Sequence, residues 1–266
     1  MSKEVYITGS KGFIGSNLTE RIDHFTPIPH EDISKIKLNP YSRFFFLSTY
    51  GNMADHKDDK MIVQANVGDL IRVLDQTDFH KINSFIYTST SSARLPIQTM
   101  YSRTKRSAEQ ILFGYMDKYS APICIVRPFS VTGVGEQEGH LIPTLIRSCM
   151  EGEMVNFVPD PVHDFIDVED VAMGLLSLSN HGARGIYELG SGKQHTNQEV
   201  LDIVQKTTGK KATINVVNSM RDYDTEDWVS TNFKARGYGW LPKKPLEQSI
   251  KEMVKDYADR TTKKVR

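Results

Sequence analysis

Cysteine is scarce in this sequence: Cys124 and Cys149 are the only two among 266 residues. Cys124 lies in a strand-like run and Cys149 in a helical one, so we expect two buried, reduced thiols, since disulfides are rare in the cytosol. An apolar run of about 18 residues, the length that crosses a bilayer, is missing. The first residues also lack the apolar core of a signal peptide. We therefore predict a cytoplasmic protein without a membrane-spanning segment.

An excess of charge of either sign is missing as well. Lys plus Arg and Asp plus Glu each number 33, so the formal net charge is zero. Without a basic excess, neither nucleic acid nor an anionic membrane is an expected partner. We also predict no metal site. An anionic small ligand would have to be held by local groups rather than by the overall charge.

Strand-like and helix-like segments alternate along the first half of the chain. The predicted strands lie at residues 5–7, 25–28, 43–48, 84–88 and 123–126, and the predicted helices at 13–21, 61–75 and 100–119. This alternation predicts an α/β fold with a doubly wound parallel sheet. From about residue 130 the pattern loosens, which predicts a smaller C-terminal lobe. We expect residues 259–266 to form a flexible basic tail.

Three glycines, Gly9, Gly12 and Gly15, follow the first strand and open a helix. Glycine lets the backbone turn sharply and approach a pyrophosphate without a Cβ in the way. The helix N-terminus then offers free N–H groups to the phosphates. The position of the glycines predicts a dinucleotide site, and the alternative is a tight turn without a ligand.

Tyr101 and Lys105 are four residues apart in a helical segment and therefore share one face. A free tyrosine titrates near pH 10, and a neighbouring ammonium lowers its pKa, which suits it to acid/base work. Taken alone, the pair is an ordinary surface i,i+4 pair. A strand with a hydroxyl-rich end, residues 84–92, precedes it and favours the catalytic interpretation.

The segments TGSKGFIG at 8–15 and YSRTK at 101–105 resemble the extended short-chain dehydrogenases/reductases, the NAD-dependent epimerase/dehydratase family of sugar nucleotides. The resemblance implies a Rossmann-type sheet in residues 1–130 plus parts of 131–190, and a small substrate-binding lobe mostly in 131–258. It implies catalysis by Tyr101 and Lys105, with Thr90 as a helper. The implied cofactor is NAD, with NADP not excluded. The implied cofactor contacts are Gly9, Gly12, Phe13, Ile14, Gly15, Asp32, Tyr101 and Lys105.

The adenosine side of this site looks shortened. Residues 31–33, Glu-Asp-Ile, resemble a family motif, Gly-Asp-Ile/Leu, that follows a later strand and contacts adenine. We therefore expect that one strand–helix unit has been lost. Asp32 is the predicted contact, with a solvated loop carboxylate as the alternative. The absence of an adjacent arginine favours NAD over NADP.

The resemblance continues through the second half of the chain and implies a nucleotide-sugar substrate. The implied substrate contacts are Ser130, His140, Phe157, His163, Arg221 and Asp224. His163 stands where the family has an arginine that grips the diphosphate. Asp164, Phe165 and Trp240 are expected to be structural.

The residues that follow Thr90 bear on the reaction type. The family's 4,6-dehydratases place Asp-Glu there, whereas this chain has Ser91 and Ser92. We therefore predict an epimerase that acts at C4 of a UDP-hexose. The alternatives are a reductase, a dehydratase whose acid is Glu136 or Glu138, and a non-catalytic NAD(P) sensor.

The resemblance also implies a homodimer. In the family, the Tyr/Lys helix and the helix before it commonly pair with their twins. We expect Phe113 and Met116 to face outward from the Tyr/Lys helix.

Overall fold

A computed structural model describes residues 4–53, 55–217 and 227–264 of the chain, with side chains described to residue 262. The strands are β1 (Val5–Thr8), β2 (Thr26–Ile28), β3 (Arg43–Phe46), β4 (Ser84–Thr88), β5 (Ile123–Pro128), β6 (Ser130–Thr132), β7 (Met154–Phe157), β8 (Val162–Asp167), β9 (Gly185–Leu189), β10 (Gln194–Thr196) and β11 (Thr213–Val216). The α-helices are α1 (Phe13–Thr19), α2 (Asp59–Val63), α3 (Asp69–Asp75), α4 (Met100–Tyr119), α5 (Leu141–Glu151), α6 (Val168–Asn180), α7 (Asn197–Thr208), α8 (Phe233–Arg236) and α9 (Leu246–Lys264). Two 3₁₀ helices, His30–Lys35 and Ser91–Arg94, and a π-helical turn, Gln64–Gly68, complete the set.

The chain divides into two units. Unit 1 comprises Met1–Pro128, Val171–Leu189 and Asn232–Leu241. Unit 2 comprises Phe129–Asp170, Gly190–Thr231 and Pro242–Arg266.

Unit 1 contains a six-stranded sheet in the order β2-β1-β3-β4-β5-β9, in which every pairing is parallel. A parallel sheet covered on both faces has nearly continuous apolar strands. Accordingly, every residue of β1 and β4 is buried, and the rings of Phe44 and Phe85 stack at 5.1 Å across β3 and β4. The predicted α/β fold with a parallel central sheet is confirmed.

The sheet ends at β2 on one side, because β2 pairs with β1 and the chain then crosses to β3 on the other side of β1. The strand has three residues and leads into the 3₁₀ helix His30–Lys35. The expected loss of a strand–helix unit on this side of the sheet stays a prediction.

Helix α4 has the bounds predicted from the sequence. It begins after Thr99, whose side chain accepts a hydrogen bond from the Ser102 N–H, and it ends at Ser120, which has a left-handed backbone with φ of 50°. Ala108 and Leu112 are fully buried against the sheet. Packing of this face fixes the rotation of the helix and therefore the direction of Tyr101 and Lys105.

Unit 2 contains a three-stranded sheet, β10-β8-β6, and a parallel pair, β11-β7. Helices α5, α7 and α9 bury apolar faces in a common core. Helix α9 continues to Lys264, so the residues of the predicted tail are helical up to that point, and their flexibility stays a prediction. Ile250 and Met253 anchor the helix in the core, and an ion pair of 2.8 Å between Asp256 and Arg260 supports its last turns.

Cys124 and Cys149 are buried and free, as predicted. In the described ranges no helix is long and apolar enough to cross a membrane. The same ranges hold no cluster of three or more His, Cys, Asp or Glu residues that could bind a metal ion.

Candidate active site

The candidate active site of unit 1 begins where β1, β3 and β4 end. Thr8 pairs with Phe46, and Phe46 pairs with Tyr87, so the loops after these three strands leave the same edge of the sheet. Ligands of open parallel sheets bind at this edge.

The glycine-rich loop is packed too tightly for side chains at two positions. Gly9 has φ of +66°, and a Cβ built there would lie 2.7 Å from the backbone nitrogen of Ser48. A Cβ on Gly15 would lie 2.0 Å from the carbonyl oxygen of Gly9. The loop can therefore keep this shape only with glycine at both places.

The loop fits the pyrophosphate of a dinucleotide. Gly12 is the N-cap of α1, and no side chain of the described residues caps this helix. The first-turn N–H groups of Phe13 and Ile14 thus remain the natural donors for an anion. These residues therefore fit the pyrophosphate contact expected from the sequence.

Asp32 lies in the 3₁₀ helix after β2. Because Ile28 pairs with Thr8, this segment leaves the sheet at the same edge as the glycine-rich loop. The carboxylate is half-exposed and lies 3.5 Å from the ammonium of Lys35. Its contact with the adenosine part of the cofactor stays a prediction.

Thr90 and Tyr101 meet in unit 1. Thr90 is the N-cap of the 3₁₀ helix Ser91–Arg94, and its hydroxyl lies 2.9 Å from that of Ser92. Tyr101 forms side-chain hydrogen bonds with Thr90 and Thr49. Burial raises the pKa of Tyr101 and outweighs these two hydrogen bonds, which lower it. The sequence predicts a lowered pKa for Tyr101, and the protein residues alone do not produce it.

Lys105 is buried one turn after Tyr101, with 1% of its surface exposed. Burial lowers the pKa of Lys105 to about 7, against the opposing effect of the Glu109 carboxylate. The Lys105 Nζ lies 4.4 Å from the centre of the Tyr87 ring, which favours the cation. The lysine can consequently change its charge near neutral pH.

Two of the predicted substrate residues meet in unit 2. The Ser130 hydroxyl lies 3.5 Å from Nδ1 of His163, across the pairing of β6 and β8. The His163 ring lies 6.2 Å from that of Trp228, whose own ring meets Phe129 edge-on at 6.4 Å. A histidine held among aromatic rings can donate a hydrogen bond to an anion, although it lacks the two-pronged grip of arginine.

The other predicted substrate residues differ in their settings. His140 is the N-cap of α5, and its Nδ1 lies 3.0 Å from the Glu136 carboxylate. Phe157 is 2% exposed in the core of unit 2, so its burial does not support the predicted substrate contact. Arg221 and Asp224 lie outside the described residues.

Asp164 is structural, as expected. It is fully buried and accepts hydrogen bonds from the Ser191 N–H and hydroxyl, the Gly192 N–H and the Ser230 N–H, at 2.6–3.1 Å. The carboxylate thereby ties β8 to two loops of unit 2.

A family model described as "NAD dependent epimerase/dehydratase family" matches residues 33–190. The chain belongs to this family. Its members are enzymes that depend on NAD and act on nucleotide sugars.

The individual relatives have low sequence identity to this chain but match it over most of its length. The chain is 24% identical to a human dTDP-D-glucose 4,6-dehydratase over 272 residues, which span 91% of this chain and 70% of the relative. It is 22% identical to a GDP-6-deoxy-D-mannose reductase of Pseudomonas aeruginosa, with 98% of this chain and 99% of the relative covered. The solved structure of MoeE5 in complex with UDP-glucose and NAD has a TM-score of 0.87 at 20% identity and covers 97% of this chain and 99% of that chain. At this identity the structural likeness shows the shared fold.

The hydrogen bonds of Asn66 are not predicted from the sequence. Asn66 lies in the π-helical turn, a feature that is frequent at functional sites. Its Oδ1 accepts from the Thr49 hydroxyl at 2.9 Å and the Tyr50 N–H, and its Nδ2 donates to the Tyr50 carbonyl and, at 3.0 Å, to the Thr104 hydroxyl. Asn66 therefore joins the loop after β3, which holds Thr49, to the helix of Tyr101.

Sequence reasoning also missed the buried carboxylate of Glu109. Its Oε1 accepts from the Ser89 hydroxyl at 2.5 Å and from Arg127 Nε at 2.8 Å, and its Oε2 accepts from the same guanidinium. A signal was present, because Tyr101, Lys105 and Glu109 follow one another at four-residue spacing and share a helix face.

Proposed function

We propose that this chain is an NAD-dependent 4-epimerase of a UDP-hexose. One observation carries the proposal: Thr90 and Tyr101 are hydrogen-bonded beside buried Lys105, and Thr90 is followed by Ser91 and Ser92 rather than by carboxylates. The glycine-rich loop at the same sheet edge supports the cofactor assignment.

The residues divide the acid/base work among them. When bound, NAD supplies the acceptor for a hydride from the sugar carbon. Tyr101 takes the hydroxyl proton as the carbonyl forms, and Thr90 hydrogen-bonds the same sugar oxygen. The ammonium of Lys105 stabilises the phenolate of Tyr101 and hydrogen-bonds the nicotinamide ribose. Tyr101 returns the proton to the same oxygen when the carbonyl is reduced again from its other face, which would invert the carbon without net change in the cofactor.

The two described carboxylates that the sequence suggests as the acid for a dehydration are both engaged by other groups. Glu136, which the sequence suggested as an alternative, accepts hydrogen bonds at both carboxylate oxygens, from Thr132 at 2.7 Å and from His140 at 3.0 Å. Glu138 forms ion pairs with Arg147 and Arg260 at 3.6 and 3.9 Å. Occupied carboxylates of this kind are poor general acids, which supports epimerisation over loss of water.

On the substrate side, we propose that Ser130 and His163 hydrogen-bond the diphosphate. Both residues are half-buried and lie within reach of each other. His140 is placed by its N-cap position at the start of α5, where backbone N–H groups also favour an anion. We propose Arg221 and Asp224 as further contacts on the sequence resemblance alone.

The second candidate is a reductase of a 4-keto nucleotide sugar. One observation favours it: the Pseudomonas aeruginosa reductase matches this chain over 99% of its own length, whereas the human dehydratase is covered over 70%. A reductase needs the same Thr90, Tyr101 and Lys105 and consumes a reduced cofactor.

The two candidates are distinguished by incubating the purified protein with NAD and a panel of UDP-, dTDP- and GDP-sugars. Epimerase activity gives a product of unchanged mass with altered sugar NMR couplings and leaves the cofactor unchanged. Stoichiometric loss of added NADH or NADPH on a 4-keto sugar would establish the reductase instead. A product lighter by one water would establish a dehydratase, and cofactor binding without turnover of any sugar would leave the sensor.

A further inference from the structure

Lys105 and Glu109 are opposite charges one helical turn apart, and both are buried. Side chains at this spacing normally pair. In the described part of the chain, however, the Lys105 ammonium has no hydrogen-bond partner and lies over the Tyr87 ring at 4.4 Å. The carboxylate that would be its natural partner is turned to other donors.

Those donors occupy both oxygens of Glu109. The Arg127 guanidinium binds the carboxylate with two hydrogen bonds of 2.8 and 2.5 Å, and the Ser89 hydroxyl adds a third of 2.5 Å. Ser89 is fixed in turn through its N–H, which donates to the Val126 carbonyl at 2.7 Å. A carboxylate bound in this fork-like geometry is unavailable to a second cation.

We propose that Arg127 is a positioning residue that holds the Glu109 carboxylate so that the Lys105 ammonium stays free for Tyr101 and the cofactor. The proposal rests on the proposed function, and it assigns a role in the site to a residue that touches neither substrate nor reacting atoms. It also explains why Ser89, the neighbour of Thr90, is tied to the same carboxylate.

The groups around Lys105 are consistent with Glu109 pairing with Arg127 rather than with Lys105. Tyr87 faces it from β4, Tyr101 and Glu109 from its own helix, and Arg127 enters from β5. Burial raises the pKa of Tyr87 well above its usual range, so this ring is neutral. Glu109 and Arg127 cancel each other, and Lys105 is left as the one net charge among these groups.

A second carboxylate, Glu188 of β9, lies further out and pairs with Arg94 at 2.9 Å. The hydrogen bonds to Glu109 raise the pKa of Arg127, against the effect of burial, and the charge of Glu188 adds to the increase. Arg127 therefore keeps its charge over the whole range in which Lys105 titrates.

The test measures the titration of Lys105 directly in the cofactor-free protein. The protein is labelled with ¹³Cε-lysine, the Lys105 signal is assigned by its loss in K105M, and its midpoint is recorded from pH 5.5 to 9.5. We expect a wild-type midpoint of about 7. R127M should raise the midpoint by about one pH unit or more, because the freed carboxylate pairs with the ammonium. E109Q should lower it, because Arg127 then faces Lys105 without a counterion.

The double variant E109Q/R127M is the matched control and should return the midpoint close to that of the wild type. Opposite shifts in the two single variants and their cancellation in the double variant support the proposal, since a purely structural pair would change stability without this pattern. An R127M midpoint within about 0.3 unit of the wild type would overturn it. If R127M fails to fold by circular dichroism, R127Q, which keeps one hydrogen bond to the carboxylate, takes its place with the same expected direction.

Binding of NAD gives the second readout. R127M should weaken NAD affinity about tenfold at pH 7.5 because Lys105 is drawn away from the ribose, and E109Q/R127M should restore most of it. An R127M protein that shows the raised midpoint but binds NAD as tightly as the wild type would refute the positioning role. Wild-type protein that binds no NAD while its lysine shifts as expected would instead refute the proposed function.

Discussion

Replacing Gly15 by alanine tests whether the glycine-rich loop is built for close backbone approach. The added Cβ would lie 2.0 Å from the Gly9 carbonyl oxygen and 2.9 Å from Cα of Ser10. Both neighbours belong to the backbone, so relief requires movement of the loop itself. Gly114 is the matched control, because it also lies inside a helix but has no atom within 4 Å of its added Cβ.

The expected magnitudes follow from two opposing effects. Alanine is favoured over glycine in a helix interior by roughly 0.5–1 kcal/mol, and both variants gain this amount. Overpacking costs about 1–3 kcal/mol and applies only to G15A. The free energy of unfolding should therefore rise by about 0.5–1 kcal/mol in G114A and lie about 1–3 kcal/mol lower in G15A than in G114A.

The assay is urea unfolding followed by circular dichroism, together with NAD titration of the folded protein. G15A should lose NAD affinity by about tenfold or more, because the displaced loop no longer presents the N–H groups of α1 to the phosphates. G114A should bind NAD as the wild type does. Equal stability of the two variants, or unchanged NAD affinity in G15A, would refute both the tight loop and its phosphate-binding role.

Four further predictions concern the catalytic pair, the buried lysine, a structural carboxylate and assembly. Tyr101→Phe should abolish turnover and leave NAD affinity intact, because it removes only the acid/base group; near-wild-type turnover would contradict the assignment. Burial lowers the pKa of Lys105, so between pH 7 and 9 the folded protein releases a proton that the unfolded chain keeps. The free energy of unfolding should therefore rise with pH by up to about 1.4 kcal/mol per unit, relative to Lys105→Met. An equal slope in both proteins would show that Lys105 is not the titrating group. Asp164→Ala removes the acceptor of four hydrogen-bond donors, of which the Ser230 N–H is buried, and should cost about 3 kcal/mol in urea unfolding; a loss below about 1 kcal/mol would contradict its structural role. Light scattering at micromolar concentration should give the mass of a homodimer, and a monomer mass would disprove it.

The sequence predicted best where the local pattern was strong. Helix α4 and strand β4 have the predicted bounds, because a long amphipathic stripe and a run of five buried residues each have one good interpretation. The family resemblance assigns Thr90 and Tyr101 to one site, and the two residues are hydrogen-bonded in the structure.

Long-range contacts were less accessible. Asn66 forms a hydrogen bond with Thr104, 38 residues further along the chain, and Glu109 forms one with Arg127, 18 residues further along. No periodic pattern in the sequence marks either pair. The apolar contacts of α9 end at Tyr257, whereas the helix itself continues to Lys264, so no apolar pattern marks its last residues.

The outward faces of the helices were also harder to predict. Phe113 and Met116 are partly buried against the core of unit 1, so they do not provide the outward face expected of them. The exposed large apolar residues on the two helical segments proposed to form the dimer, with 39–53% of their surface accessible, are Met61, Val63, Ile71, Met100 and Tyr119.

The division of unit 1 into three stretches of chain has a consequence for synthesis on the ribosome. Strand β5 emerges at Ile123–Pro128, but its outer partner β9 is translated only after the whole segment Phe129–Asp170 of unit 2. Until then β5 is an apolar edge whose free N–H and C=O groups can pair with another nascent chain. A recombinant fragment that stops at Pro128 would keep this edge permanently, so aggregation is its expected fate. Cutting the gene between the predicted domains would thus separate a sheet from its own last strand.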